Sequence, residues 1–250
     1  KLDSPRLIFG EELRCWASGT RVTFDPYNHV YSTPDGKTWL SGSTFAGRYK
    51  GEFNAPIIAG KMAAKYGVDD PSEIVAMWEL NRDASSTVGT AVHKALQLRG
   101  QYSDLSRAVK EGSLESALTK NPILLPIVES FFATREHEEA LYEVFVADPV
   151  RGHCGFIDRL VIEPDGLIVE DFKTNSELLK AESIQKPFKG IVPATKLGSY
   201  WLQLSFYSRI LQSHNQHVKL LRVHHWTNGE WETHEFPVVD LDAAFAKDKG

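Results

Sequence analysis

Two apolar runs meet at Glu163-Pro164-Asp165-Gly166, and this junction constrains the chain more than any other feature. Cys154–Glu163 and Leu167–Lys173 are rich in the β-branched and aliphatic residues that suit a pleated, buried surface, and the Pro-Asp-Gly between them reverses the chain. The runs are expected to pair as an antiparallel hairpin. Pro164 cannot take the positive φ of a two-residue I′ or II′ turn. A four-residue loop, Glu163 to Gly166, sets position 162 opposite 167 and Asp158 opposite Asp171, with Cβ atoms about 5 Å apart. A three-residue loop with a glycine bulge shifts the register by one and sends the two carboxylates to opposite faces.

Two carboxylates so placed repel one another, more strongly where Phe156, Leu160, Leu167 and Val169 surround them with apolar surface. A divalent cation resolves the conflict, and oxygen-rich ligation suits Mg²⁺ or Mn²⁺. Lys173 lies two residues beyond Asp171, so strand periodicity gives both the same face. Its ammonium can position a water or offset charge on a phosphate.

The remaining chain reads as an α/β fold. Val22 to Ser41 alternates around two turn signals, Asp25-Pro26-Tyr27-Asn28 and Pro34-Asp35-Gly36, as in a hairpin or short meander. Helical spacing predicts helices over 55–66, 71–82 and 86–98, the second capped by Asp70 before Pro71 and the third ended by Gly100. A helix is expected over 123–138 after Asn121-Pro122, then a strand over 141–147 before the hairpin. Residues 174–196 have little periodicity and read as a long loop with some helix. A helix over 197–213 and strands over 218–226 and 231–237 close the chain. With 42% of 250 residues apolar, there is material for one core. Residues 1–250 are therefore read as a single domain, with a hairpin and helical part over 1–85 and the main core over 86–240.

Several classes are excluded. No run approaches the roughly 18 apolar residues of a membrane span, and no signal-peptide pattern opens the chain, so a soluble cytoplasmic protein is expected. Cys15 and Cys154 are too few for a disulfide framework or a four-thiolate centre. Gly36-Lys37-Thr38 lacks the first glycine of a phosphate-binding loop, since Tyr31 stands there. His224 and His225 point to opposite sides of a strand without a helical zincin partner, and read as structural or surface residues. A net charge of −5 confines any nucleic-acid contact to a local patch.

Gly155-Phe156-Ile157-Asp158, followed by Asp171-Phe172-Lys173-Thr174, resembles the core of RecB-like PD-(D/E)XK nucleases. Gly89-Thr90-Ala91-Val92-His93 is similar to that group's helix motif, and Gln203-Leu204-Ser205-Phe206-Tyr207 to its glutamine and tyrosine motif. Phe24 to Tyr31 resembles the opening of phage-encoded members. The resemblance spans Gly89 to Tyr207 and implies a restriction-endonuclease-like core, a mixed β-sheet flanked by helices, behind a mainly helical N-terminal half. His93, Asp158, Asp171 and the Phe172 carbonyl would bind Mg²⁺ or Mn²⁺. Lys173 would assist the nucleophile, and Gln203 and Tyr207 would orient Lys173 or the DNA backbone. Glu143 is an additional carboxylate candidate, with Glu138, Glu139 and Glu170 nearby. Ile157 stands where the family's proline would be.

Thr90, Thr174, Lys180 and Lys196 are expected at the nucleic acid, with Lys180, Lys186, Lys189 and Lys196 beside Tyr200 and Trp201 forming either an edge that tracks phosphates and stacks bases or a solvated mobile loop. The activity implied is metal-dependent hydrolysis of DNA phosphodiester bonds. An exonuclease of recombination, repair or phage DNA processing is expected, alongside a single-strand annealing or binding protein. A non-catalytic DNA-binding or assembly protein, or an RNA-directed nuclease, are the alternatives.

Overall fold

The computed structural model describes residues 11–33, 35–101, 122–175 and 177–246. Asn121 and Pro34, which contribute to two of the expected start and turn signals, lie outside that set. The chain is an α/β fold with a mixed β-sheet flanked by helices.

The N-terminal part opens with strands, among them the hairpin expected within 22–41. Glu11–Arg14 (β1), Arg21–Asp25 (β2) and Val30–Ser32 (β3) form a small antiparallel sheet, and Leu40–Ser41 (β4) joins the main sheet. A short helix, Gly42–Gly47 (α1), is capped by Ser41, whose hydroxyl accepts the Thr44 N–H. Ala55–Tyr66 (α2) has the expected bounds, capped by Asn54 and closed by Gly67 at φ +70.

The two helices expected over 71–98 are one, Pro71–Gln101 (α3). Asp70 starts it as expected, accepting the Ser72 N–H at 2.8 Å. No glycine or proline interrupts 83–86, so the ladder runs on. Gly100 does not end it. There the Tyr142 ring lies so close that a Cβ would come within 2.1 Å of Cζ, and glycine is what lets helix and strand meet.

The helix expected over 123–138 stops early, at Leu124–Phe132 (α4), and Arg135 folds back to donate to the Phe131 carbonyl. Ala140–Asp148 (β5), His153–Glu163 (β6) and Gly166–Lys173 (β7) follow. Lys196–Ser213 (α5), Val218–Thr227 (β8), Glu230–Phe236 (β9) and Asp242–Phe245 (α6) complete the described chain.

Strands β6, β7, β8 and β9 lie side by side, with β7 and β8 parallel and the other neighbours antiparallel; β5 flanks β6. Along its other edge β6 changes partner. It pairs with β7 over 159–163 and with β4 over 153–154. The edge from Gly155 to Asp158 is left between them.

Three cores hold this sheet. Leu160, Leu167, Val169 and Leu221 pack under α5 through Leu202 and Phe206. Phe172 and Tyr142 pack with Val92 and Leu96 of α3 and Phe131 of α4. Tyr31 of the small sheet, with Cys15 and Trp39 flanking it, covers Phe145 and Cys154. Residues 174–196, expected as a long loop with some helix, are anchored by Leu178, Ile184, Phe188 and Val192, which enter the first core without any regular spacing. No helix among the described residues is long and apolar enough to cross a membrane.

Candidate metal centre

The hairpin register decides the site. Glu163 pairs with Gly166 and Ile162 with Leu167, so the loop is only Pro164-Asp165. Pro164 is accommodated because the positive φ falls on Gly166, at +150, and not on a loop residue. The four-residue loop is thus corrected to two residues, yet 162 still faces 167. The last ladder pair is Arg159 with Glu170, and one step further the register sets Asp158 opposite Asp171.

At that step the ladder ends, and the Phe172 N–H donates instead to Asp158 Oδ2 at 2.8 Å. The pleat breaks at the same level. Ile157 and Leu160, three apart, both enter the core under α5, whereas Tyr142 and Val144, two apart, enter different cores. Between them Glu143 holds φ at +50, a left-handed conformation that glutamate seldom takes within a strand. A strictly alternating shared face for the two aspartates is therefore replaced by a local break, through which the Asp158 carboxylate reaches towards β7.

His93 closes the site from α3. Its Nε2 lies 2.8 Å from the Phe172 carbonyl oxygen, which can only accept, so Nε2 carries the proton. Nδ1 then faces Asp158 Oδ2 at 3.4 Å. His93, Glu143 and Asp158 each bring a possible ligand atom within 4.8 Å of the others.

Asp171 is held differently. Its Oδ2 pairs with the Lys173 ammonium, which also donates to the Phe172 carbonyl at 3.2 Å and lies 4.6 Å from the centroid of the Tyr200 ring. Thus His93 and Asp158 are grouped with Glu143, while Asp171 sits beside them on Lys173. The Phe172 carbonyl, expected as a ligand, accepts from His93 and Lys173.

The electrostatics follow from burial and crowding. Burial raises the Glu143 carboxyl to about 7, and the neighbouring Asp158 charge adds to this. Asp171 is raised to about 6 by burial, with Asp158 contributing, although Lys173 opposes the shift. Burial works against ionising Asp158 too, but His93 and Lys173 outweigh it and hold that carboxyl low. Burial likewise disfavours the Lys173 cation, yet Asp171 and Asp158 more than offset it, so Lys173 stays protonated.

Helix α5 supplies the far wall. Gln203 and Tyr207, expected to orient Lys173 or the DNA backbone, face one another, with Gln203 Nε2 donating to the Tyr207 hydroxyl at 3.1 Å. Tyr200, expected only on a base-stacking edge, contacts Lys173. Its spacing of three and seven from Gln203 and Tyr207 is the helical signal that could have found it. The Tyr207 ring lies against Gly42 and Gly155, where a Cβ would come within 2.3 and 2.4 Å of Cε1.

The expected nucleic-acid residues are spread over surrounding segments. The Thr90 hydroxyl donates to the Ser86 carbonyl, and Thr174 Oγ1 lies 3.3 Å from where a Cβ on Gly89 would be. Lys180 pairs with Glu177 at 2.7 Å, and the Lys196 N–H donates to the Lys180 carbonyl.

Glu170 and Glu138 belong to a separate network. Fully buried Arg159 pairs with Glu170 at 2.6 Å and with Glu138 at 2.8 Å, and Arg222 and His224 lie 3.1 Å from Glu170.

No family model and no curated protein sequence matches this chain. Among solved structures, the one described as the crystal structure of SSO0001 is similar at 15% identity, covering 84% of this chain and 73% of that chain. Its TM-score of 0.36 is too low to carry an argument about fold or function.

Proposed function

We propose that this chain is a divalent-metal-dependent DNA nuclease with a restriction-endonuclease-like core of the RecB-like PD-(D/E)XK kind. One observation carries the reading: where β6 parts from β7, Asp158 accepts the N–H of Phe172, next in the chain to Asp171, with Lys173 on Asp171 and His93 on Asp158. The donor set fits Mg²⁺ or Mn²⁺. Carboxylates crowded into a buried break repel one another until a cation joins them, and the proton fixed on His93 Nε2 leaves Nδ1 as a ligand.

His93, Glu143 and Asp158 would hold the ion, and Asp171 is the adjacent carboxylate able to extend the set. When bound, the ion supplies charge for the phosphate oxygens and lowers the pKa of a water. Lys173 remains an ammonium, so it acts as a fixed positive charge that orients the attacking water or a phosphate oxygen, and not as a base. Asp171 and the Tyr200 ring hold that ammonium in place. The buried Tyr207 ring, with Gln203 bonded to its hydroxyl, forms a wall that keeps bulk water from the carboxylates.

Thr90, Thr174, Lys180 and Lys196 are proposed to meet the DNA backbone. An exonuclease of recombination, repair or phage DNA processing, working with a single-strand annealing or binding protein, completes the reading. The test is cleavage of linear and circular DNA, single- and double-stranded, beside RNA of the same sequence, in Mg²⁺, Mn²⁺ or EDTA. Linear DNA should be degraded only with the cation, and circular DNA should survive. Preferential loss of RNA would reassign the substrate, and inert DNA in both metals would leave a binding protein.

A further inference from the structure

His225 and His224 share a strand but not an environment. His224 is buried against Glu170, while His225 points to the other side and meets two residues of the edge strand. His225 pairs with Glu232 across β8 and β9, and His234 lies two residues further along β9. These three bring possible ligand atoms within 4.8 Å of one another. His234 Nε2 is 3.8 Å from Glu232 Oε2 and is buried without a hydrogen-bond partner.

The two imidazoles are already prepared as ligands. His225 Nε2 lies 2.7 Å from the Asn175 carbonyl oxygen, an acceptor only, so the proton is on Nε2 and the Nδ1 lone pair is left free. A ligating histidine usually gives its other N–H to such a carbonyl. The unpartnered Nε2 of His234 is the second nitrogen donor, and Glu232 supplies an oxygen from a side chain that is 46% exposed and free to adjust.

We propose that His225, Glu232 and His234 form a second divalent-cation site, of the zinc class, on the edge of the main sheet. Two nitrogens and one carboxylate form a set suited to zinc, unlike the oxygen-dominated centre around Asp158. Zinc bonds of about 2.0–2.1 Å at tetrahedral angles place ligand atoms about 3.4 Å apart, so from within 4.8 Å the cluster needs to contract by at most about 1.4 Å. The fourth position opens to solvent beside Lys180, Thr227 and Asn228.

This is not the partner ion of a two-metal centre. His225 on β8 pairs with Lys173 on β7, and the metal ligand Asp158 lies on β6 beyond, so two strand spacings separate the two ligand sets. That is about 10 Å, against the roughly 4 Å of paired catalytic metals. The cation would instead clamp β9 to β8 and, through the His225–Asn175 bond, fix the backbone just beyond Lys173.

The experiment uses the full chain stripped with EDTA, then titrated with ZnCl₂ by calorimetry, with bound metal and thermal midpoint measured in parallel. The His93→Ala variant should still bind one zinc with unchanged affinity. His234→Ala should bind it about a hundredfold more weakly or not at all, since even outer-shell losses cost 10–100-fold. Its thermal midpoint in EDTA should match wild type, and zinc should raise the midpoint of wild type and of His93→Ala but not of His234→Ala. Should His234→Ala fail to fold, the exposed Glu232→Gln substitution gives the same reading. Absence of zinc binding by wild type, or its loss in His93→Ala alone, would overturn the proposal while leaving the Asp158 centre untouched.

Discussion

The ring of Tyr207 lies against the backbone of Gly155 so closely that a Cβ there would fall 2.4 Å from Cε1. Gly155 occupies the stretch of β6 that neither β4 nor β7 covers, and the tyrosine fills that gap. Gly155→Ala is therefore expected to lose about 1–3 kcal/mol through overpacking, measured by chemical denaturation. Tyr207→Ala in the same chain should remove the conflict, so that the second substitution costs less with alanine at 155 than with glycine. Wild-type stability of Gly155→Ala would contradict this packing.

Glu143 gives the centre a pH dependence. Its carboxyl is raised by burial to about 7 from an ordinary value of 4.5, so the folded, metal-free chain takes up a proton between these pH values. Ionised Glu143 therefore subtracts stability increasingly as pH rises to about 7, and not below about 4.5. Cation binding needs the ionised form and must release the proton below pH 7. Mn²⁺ affinity, measured by titration calorimetry, should fall by about tenfold per pH unit per proton released below pH 7. Glu143→Gln should flatten that slope. Equal affinity at pH 6 and pH 8 would show that Glu143 does not ligate.

Arg159 and Glu170, both fully buried, pair beneath the centre with Glu138, Arg222 and His224 around them. Removing one partner strands the other charge. Glu170→Ala should cost about 3–5 kcal/mol in denaturant unfolding. The folded fraction should keep its Mn²⁺ affinity, because Glu170 points away from Asp158. Loss of metal binding without loss of stability would place Glu170 in the centre instead.

The hairpin of β6 and β7 was legible because turn chemistry and apolar runs act locally. Even with the loop length misread, Ile162 still faced Leu167, since a two-residue and a four-residue loop preserve the same register. The bounds of α2 and the Asp70 cap were legible for the same reason. Long-range packing was not. Gly100 reads as a helix end in sequence, yet it serves the approach of Tyr142, which lies 42 residues away. Residues 174–196 lack periodicity because Leu178, Ile184, Phe188 and Val192 enter the core from irregular backbone. The left-handed Glu143 and the ring of Tyr200 over Lys173 depend on tertiary contacts that no local pattern encodes. His225, read as a structural or surface residue, acquires Glu232 and His234 only through strand pairing.

The central claim is that Lys173, held by Asp171 beside Asp158, serves cation-dependent cleavage of DNA. The most direct measurement is the initial rate of cleavage of end-labelled linear DNA by wild type and Lys173→Ala, in saturating Mn²⁺, with circular dichroism confirming that both are folded. Wild type should cleave, and Lys173→Ala should be slower by about 10²-fold or more, the loss typical of removing one preorganised charge donor. Equal rates for the two proteins, whether both active or both inert, would contradict the account.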